Sequence, residues 1–160
     1  MPIIIGYPGI GKTTASVGLP IVVDLDSRFF SQNYDGWEED YCKLAFELSQ
    51  QGKYVCISCH KRVVDWMLRC RERVIVCYPS PDASESSIQG LHERLIHSYD
   101  KDTEESNYRA LKRPIDHYDE DIAYLSKLPF EKWVVNTLVE KEKWLSDFIE
   151  DDLKVVHIHG

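Results

Sequence analysis

A lysine and a threonine at positions 12 and 13 close the run Gly6-Tyr7-Pro8-Gly9-Ile10-Gly11-Lys12-Thr13, which fits G-x-x-x-x-G-K-[ST] at every fixed position. A phosphate chain is held by a ring of backbone N–H groups, and glycine lets the main chain curl round it without a side chain in the way. Gly6, Gly9 and Gly11 supply that freedom, and the Ile10 amide lies between them. Lys12 would set its ammonium between the β- and γ-phosphates. The Thr13 hydroxyl would hold Mg2+ at the head of a helix whose amino terminus favours anions, and Thr14 extends that helix. The chemistry predicted for these residues is the binding of ATP with Mg2+.

Two further clusters follow. Ile21-Val22-Val23-Asp24-Leu25-Asp26-Ser27-Arg28 ends an apolar run in two carboxylates and a guanidinium. An aspartate at such a place can join a Mg2+ shell through water, or accept the proton of a hydroxyl attacking the γ-phosphate. Asp24 is assigned to the metal with Thr13, and Asp26 to the substrate and to proton transfer, with the reverse assignment open. A plain turn cap by D-x-D-S is the structural alternative. Cys56-Ile57-Ser58-Cys59-His60-Lys61-Arg62 ends a second apolar run in a polar and basic cluster. Ser58 can bond the metal or an attacking water, and His60 and Lys61, with Asp24, Asp26 and Arg28, can orient an acceptor. Three basic groups at a helix amino terminus oppose its dipole unless an anion visits.

These clusters need a frame that brings them to one edge. Short β-branched runs alternate with longer amphipathic stretches, predicting an α/β fold, a three-layer sandwich with a mostly parallel sheet. Strands are expected at 3–5, 20–24, 54–58, 73–78, 132–135 and 154–158. Helices are expected at 12–17, 37–51, 61–70, 86–98, 104–125 and 137–150. Gly52 is placed as a C-cap, and Pro129 closes the long helical stretch. The first helix is short because Gly18-Leu19-Pro20 ends it, so the second strand arrives early. The polar run 99–106 is the least core-like part and reads as mobile. In an open parallel sheet the carboxyl ends of the strands line the ligand crevice, where all three clusters would meet.

A strand and phosphate loop, an Asp-x-Asp at the second strand and a Ser-x-x-Lys-Arg turn after the third resemble the small P-loop kinases. The gluconate and shikimate kinase group and the nucleoside monophosphate kinases share this plan. The likeness spans most of the chain as architecture, whereas the phosphate loop alone is a specific match. It implies that the second-strand acids and the third-strand turn contact the acceptor, and that a helical lid carrying arginines closes over ATP. The lid would fall within 84–125, with Arg94 and Arg109 ranked first, and Arg113 after them, to stabilise charge in transfer. The short first helix and the lack of a clear adenine-clamp motif depart from the pattern.

Composition bounds the rest. A chain of 160 residues that is 43% hydrophobic makes one domain over 1–160. The net charge of −8 argues against sequence-independent binding to duplex nucleic acid. No run approaches the roughly 18 apolar residues of a membrane span, and no basic region precedes the first strand, so a soluble, cytoplasmic protein is expected. The five cysteines are odd in number and lie mostly in apolar stretches, as reduced thiols do. Cys56 and Cys59 form a C-x-x-C without a second ligand pair, a poor zinc site. His157 and His159 would alternate along an edge strand. Tyr34, Trp37, Tyr41, Tyr78 and Tyr108 lie near the proposed crevice and favour a nucleobase-bearing acceptor over a sugar acid.

Three readings of function result. The first is a phosphotransferase moving the γ-phosphate of ATP to a small acceptor, a nucleoside or nucleotide, with catalysis by Lys12, Asp26, Arg94 and Arg109. The second is an NTPase or nucleotide-binding regulatory module with Val22-Val23-Asp24 as a Walker B-like strand. The third is a kinase acting on a nucleic-acid end or modified base.

Overall fold

The computed structural model describes residues 1–8, 10–27, 30, 35–80, 116–135 and 143–159. Five strands, β1 (Ile3–Gly6), β2 (Val22–Asp24), β3 (Tyr54–Ile57), β4 (Val74–Pro79) and β5 (Glu131–Val135), form one all-parallel sheet in the order β2-β3-β1-β4-β5. Every residue of β1, β3 and β4 is buried, as a parallel sheet covered on both faces requires. β1 is central, with Ile3 registered against both Val55 and Val74.

Helices α1 (Lys12–Gly18), α2 (Trp37–Gln50), α3 (Lys61–Leu68), α4 (Tyr118–Ser126) and α5 (Leu145–His159) connect and follow the strands. The crossover from β1 runs over β3 to β2, whereas that from β3 runs the opposite way, over β1 to β4. Right-handed crossovers in opposite directions lie on opposite faces, which separates α1 from α2, α3 and α4. The packing agrees: α2 lies on α3, and α5 lies on α1, an arrangement consistent with three layers. The loops after β1 and β3 therefore part at adjacent strand ends, where a parallel sheet opens a crevice.

Local chemistry accounts for the helix ends. Gly52 adopts φ +86°, with Gly52 N–H donating to Ser49 O (3.1 Å) and Lys53 N–H to Leu48 O (3.1 Å), the Schellman termination expected of it. At α5 the Asp147 carboxylate reaches back to accept from the Trp144 amide at 2.9 Å, half of a capping box.

The carboxyl-terminal region corrects the sequence reading. Residues 154–158 are helical within α5 instead of forming a sixth strand, and His157 and His159 belong to that helix. The alternation of Val155, Val156 and Ile158 is too short to separate a period of 2 from one of 3.6. Leu145 and Ile149, both buried, already set a helical stripe. Val155 is 53% exposed, and Asp152 in the same helix is tied to Arg73 and Tyr54. The helix expected over 137–150 begins at Leu145, and residues 136–142 lie outside the described set. Of the stretches expected to be helical between 84 and 125, residues 116–125 are described and hold α4 up to Leu125; residues 81–115 lie outside. Among the described residues, no helix is long and apolar enough to cross a membrane.

Candidate functional site

Because every strand runs the same way, Gly6 to Lys12, Asp24 to Asp26 and Ser58 to Lys61 all emerge at one edge of the sheet. The first segment is anchored on both sides. The Tyr7 amide donates to Cys77 O at 2.9 Å, continuing the β1–β4 ladder, and the Ile10 side chain is fully buried beneath the loop. The Tyr7 ring is buried as well and meets Tyr118 of α4 edge to face, with centroids 5.8 Å apart. Gly11 sits at φ +101°, and no side chain caps α1. The Ala15 amide takes up the Gly11 carbonyl at 2.9 Å, the first turn of the helix.

Lys12 folds back over this loop, with Nζ donating to Gly6 O at 3.3 Å. Its stem passes so close that a Cβ on Gly6 would lie 2.7 Å from Lys12 Cδ and 3.1 Å from Ile10 Cδ1. A side chain at position 6 would thus displace the lysine from the place it takes here, although Gly6 has no positive φ. Thr14 is exposed on the first turn.

Asp24 and Asp26 are half-buried at the end of β2. Burial pushes the Cys56 thiol up to about 12, with the Lys12 charge lowering it and the Asp24 charge raising it. Both charges act on that one thiol, so the loop lysine and the second-strand carboxylate share the same ground. Burial likewise raises the Cys77 thiol, against a lowering by Lys12.

The third segment is held from below by a tyrosine. The Tyr41 hydroxyl donates to Leu25 O at 2.6 Å and accepts from the Ser58 amide at 2.9 Å, joining the ends of β2 and β3. Above that bridge Ser58 Oγ and His60 Nδ1 are 2.7 Å apart. His60 is exposed, and its ring meets Trp37 edge to face at 5.6 Å. Arg62, expected to burden the start of α3, lies 3.7 Å from the nearly buried Glu38 of α2, which offsets its charge. Lys61 is exposed beside it.

The structure therefore brings Gly6, Ile10, Gly11, Lys12, Thr14, Asp24, Asp26, His60 and Lys61 to one edge of the sheet. Gly9, Arg28, the Thr13 side chain, Arg94, Arg109, Tyr34 and Tyr108 lie outside the described set. Trp37, Tyr41 and Tyr78 are buried, so they frame the crevice or the core instead of offering open stacking faces. Among the described residues no group of three or more His, Cys, Asp or Glu could hold a metal, and Cys56 and Cys59 form no disulfide.

Sequence reasoning missed the bridging role of Tyr41 and the anchoring role of Tyr7. A signal was present for the first: Tyr41 lies one helical turn from Trp37 on the buried face of α2, and a buried phenol needs a polar partner. No protein-family model matches the chain, and no curated protein matches it.

Proposed function

We propose that this protein is an ATP- and Mg2+-dependent phosphotransferase, a small P-loop kinase that moves the γ-phosphate of ATP to a small acceptor, a nucleoside or nucleotide. One observation carries the reading: the segment G-x-x-x-x-G-K-T leaves the carboxyl end of the central strand, and Lys12 lies across its first glycine at 3.3 Å. A lysine in that position moves from the Gly6 carbonyl to a phosphate oxygen by side-chain rotation, exchanging a neutral acceptor for a charged one. The donor set suits a triphosphate: glycines that admit close approach, a cation, and uncapped amides at the head of α1.

ATP is the phosphoryl donor. The acceptor oxygen attacks the γ-phosphorus in line while the bond to the bridging β-γ oxygen breaks and ADP leaves. Asp26 takes the acceptor's proton, Asp24 with Thr13 would hold the metal, and His60 and Lys61 orient the acceptor. Mg2+, when bound, neutralises the charge that gathers on the bridging and γ-oxygens. The rest is positioning and charge stabilisation, to which Arg94 and Arg109 contribute from the segment between β4 and α4. The setting of such an enzyme would be the cytoplasm, where ATP and reduced thiols coexist.

The test is transfer from γ-³²P-ATP with Mg2+ into nucleosides, nucleoside monophosphates, sugars, sugar acids and short DNA, with hydrolysis followed in parallel. Label entering a nucleoside or nucleotide is the expected result. Label on DNA alone would redirect the reading to a nucleic-acid kinase, and hydrolysis without a labelled acceptor would replace it with an NTPase.

A further inference from the structure

The β2–β3 ladder advances by two residues at a time, and its last steps identify what should come next. Tyr54 N–H donates to Ile21 O at 2.9 Å, Asp24 pairs with Cys56, and Leu25 N–H donates to Cys56 O at 2.9 Å. The following bond of a parallel ladder would run from Ser58 N–H to Leu25 O. Both of those groups bind the Tyr41 hydroxyl instead, at 2.9 and 2.6 Å. One phenol oxygen has taken the place of a ladder bond, so two hydrogen bonds in series span a gap that one would otherwise close.

The strands consequently part at this level, between Asp26 on one side and the Ser58–His60 pair on the other. The wedge is rigid. The Tyr41 ring is fully buried, with Phe30 at 5.3 Å and 77° and Trp37 at 5.6 Å and 72°, both edge to face. Trp37 in turn meets His60, so the same aromatic set supports the base of the opening and one of its walls.

We infer that Tyr41 is a positioning residue for the phosphate acceptor, its hydroxyl holding the ends of β2 and β3 apart so that an acceptor enters between Asp26 and His60. The inference rests on the phosphotransferase reading and adds to it that acceptor geometry is set independently of the phosphate loop. Replacing Tyr41 with phenylalanine removes one oxygen and keeps the ring contacts, leaving Ser58 N–H and Leu25 O to bond directly and close the opening.

The experiment compares wild type and Tyr41→Phe with the acceptor labelled in the transfer assay, varying ATP and acceptor separately. The expected result is an ATP KM within about twofold of wild type and an acceptor kcat/KM lower by roughly 10- to 100-fold, the scale of a misplaced reactant. Unchanged acceptor kinetics in an active enzyme would overturn the inference alone. Parallel loss of ATP and acceptor parameters would also overturn it, because it would mark a general structural role. If wild type transfers to no acceptor, the functional reading fails and the inference with it. Hydrogen exchange on the wild-type protein gives a check that needs no variant: the Ser58 amide should be protected, and exchange at the unprotected rate would overturn the inference.

Discussion

The Lys12 ammonium donates to the Gly6 carbonyl at 3.3 Å, laying a charged side chain across the first glycine of its own loop. The contact ties the two ends of the loop together at the carboxyl edge of β1. A Cβ at position 6 would meet Lys12 Cδ at 2.7 Å, so a side chain there would push the lysine off this contact.

Lys12→Ala should therefore leave the fold intact and cut phosphoryl transfer by at least 10²–10³-fold, the order seen for loss of one charge-stabilising donor. Gly6→Ala should act in the same direction by displacing the lysine. Circular dichroism with the transfer assay checks both, and an active Lys12→Ala protein would eliminate the mechanism.

Asp26→Asn should lower turnover by about 10²-fold or more while changing ATP affinity little, because a base acts on the acceptor and not on the bound triphosphate. Separate measurement of ATP binding and turnover decides. Lost ATP binding with normal turnover would exchange the roles of Asp24 and Asp26.

At the opposite end of the sheet, Arg73 bonds both Glu131 (3.0 Å) and Asp152 (2.9 Å), and Tyr54 donates to Asp152 at 2.5 Å. Burial raises the Asp152 carboxyl, but the hydrogen bonds from Arg73 and Tyr54 and nearby positive charge outweigh it and hold it below the usual range. A depressed folded-state value stabilises the protein above the unfolded-state value and loses that contribution as pH falls through the folded one. Asp152→Asn should cost about 1–2 kcal/mol at pH 7, moderated by solvent at half-exposed Arg73. The gap from wild type should narrow below about pH 4. Urea unfolding at pH 7 and pH 3 measures both.

Gly52 and Gly18 form a matched pair for backbone effects. Neither has an atom within 4 Å of an added Cβ, yet Gly52 lies at φ +86° and Gly18 ends α1 without a positive φ. Gly52→Ala should destabilise by about 1 kcal/mol through left-handed strain, whereas Gly18→Ala should stabilise by about 0.5–1 kcal/mol. Thermal melts of the two variants should shift in opposite directions.

Much of the frame is legible in the sequence. The apolar runs at 3–5, 54–58 and 73–78 became β1, β3 and β4 to within a residue or so, and the Gly52 helix stop formed as expected. No sixth strand forms at 154–158 because β-branched residues near 155 imitate a strand over too few positions, while the buried Leu145 and Ile149 set a helical stripe that α5 continues through them.

By itself the chain's sequence determined the glycine-lysine loop, the alternation that makes an α/β fold and the acidic and basic clusters at apolar run ends. These are local quantities, set by spacing along a few residues and by backbone sterics. Tertiary structure alone decided that β3 adjoins β1, that the Lys12 and Asp24 charges act on one Cys56 thiol, and that the Tyr41 hydroxyl replaces a ladder bond between Leu25 and Ser58. Each depends on which distant segments become neighbours. That choice is made by the burial of whole elements and the handedness of their crossovers, which spacing within any one element does not encode.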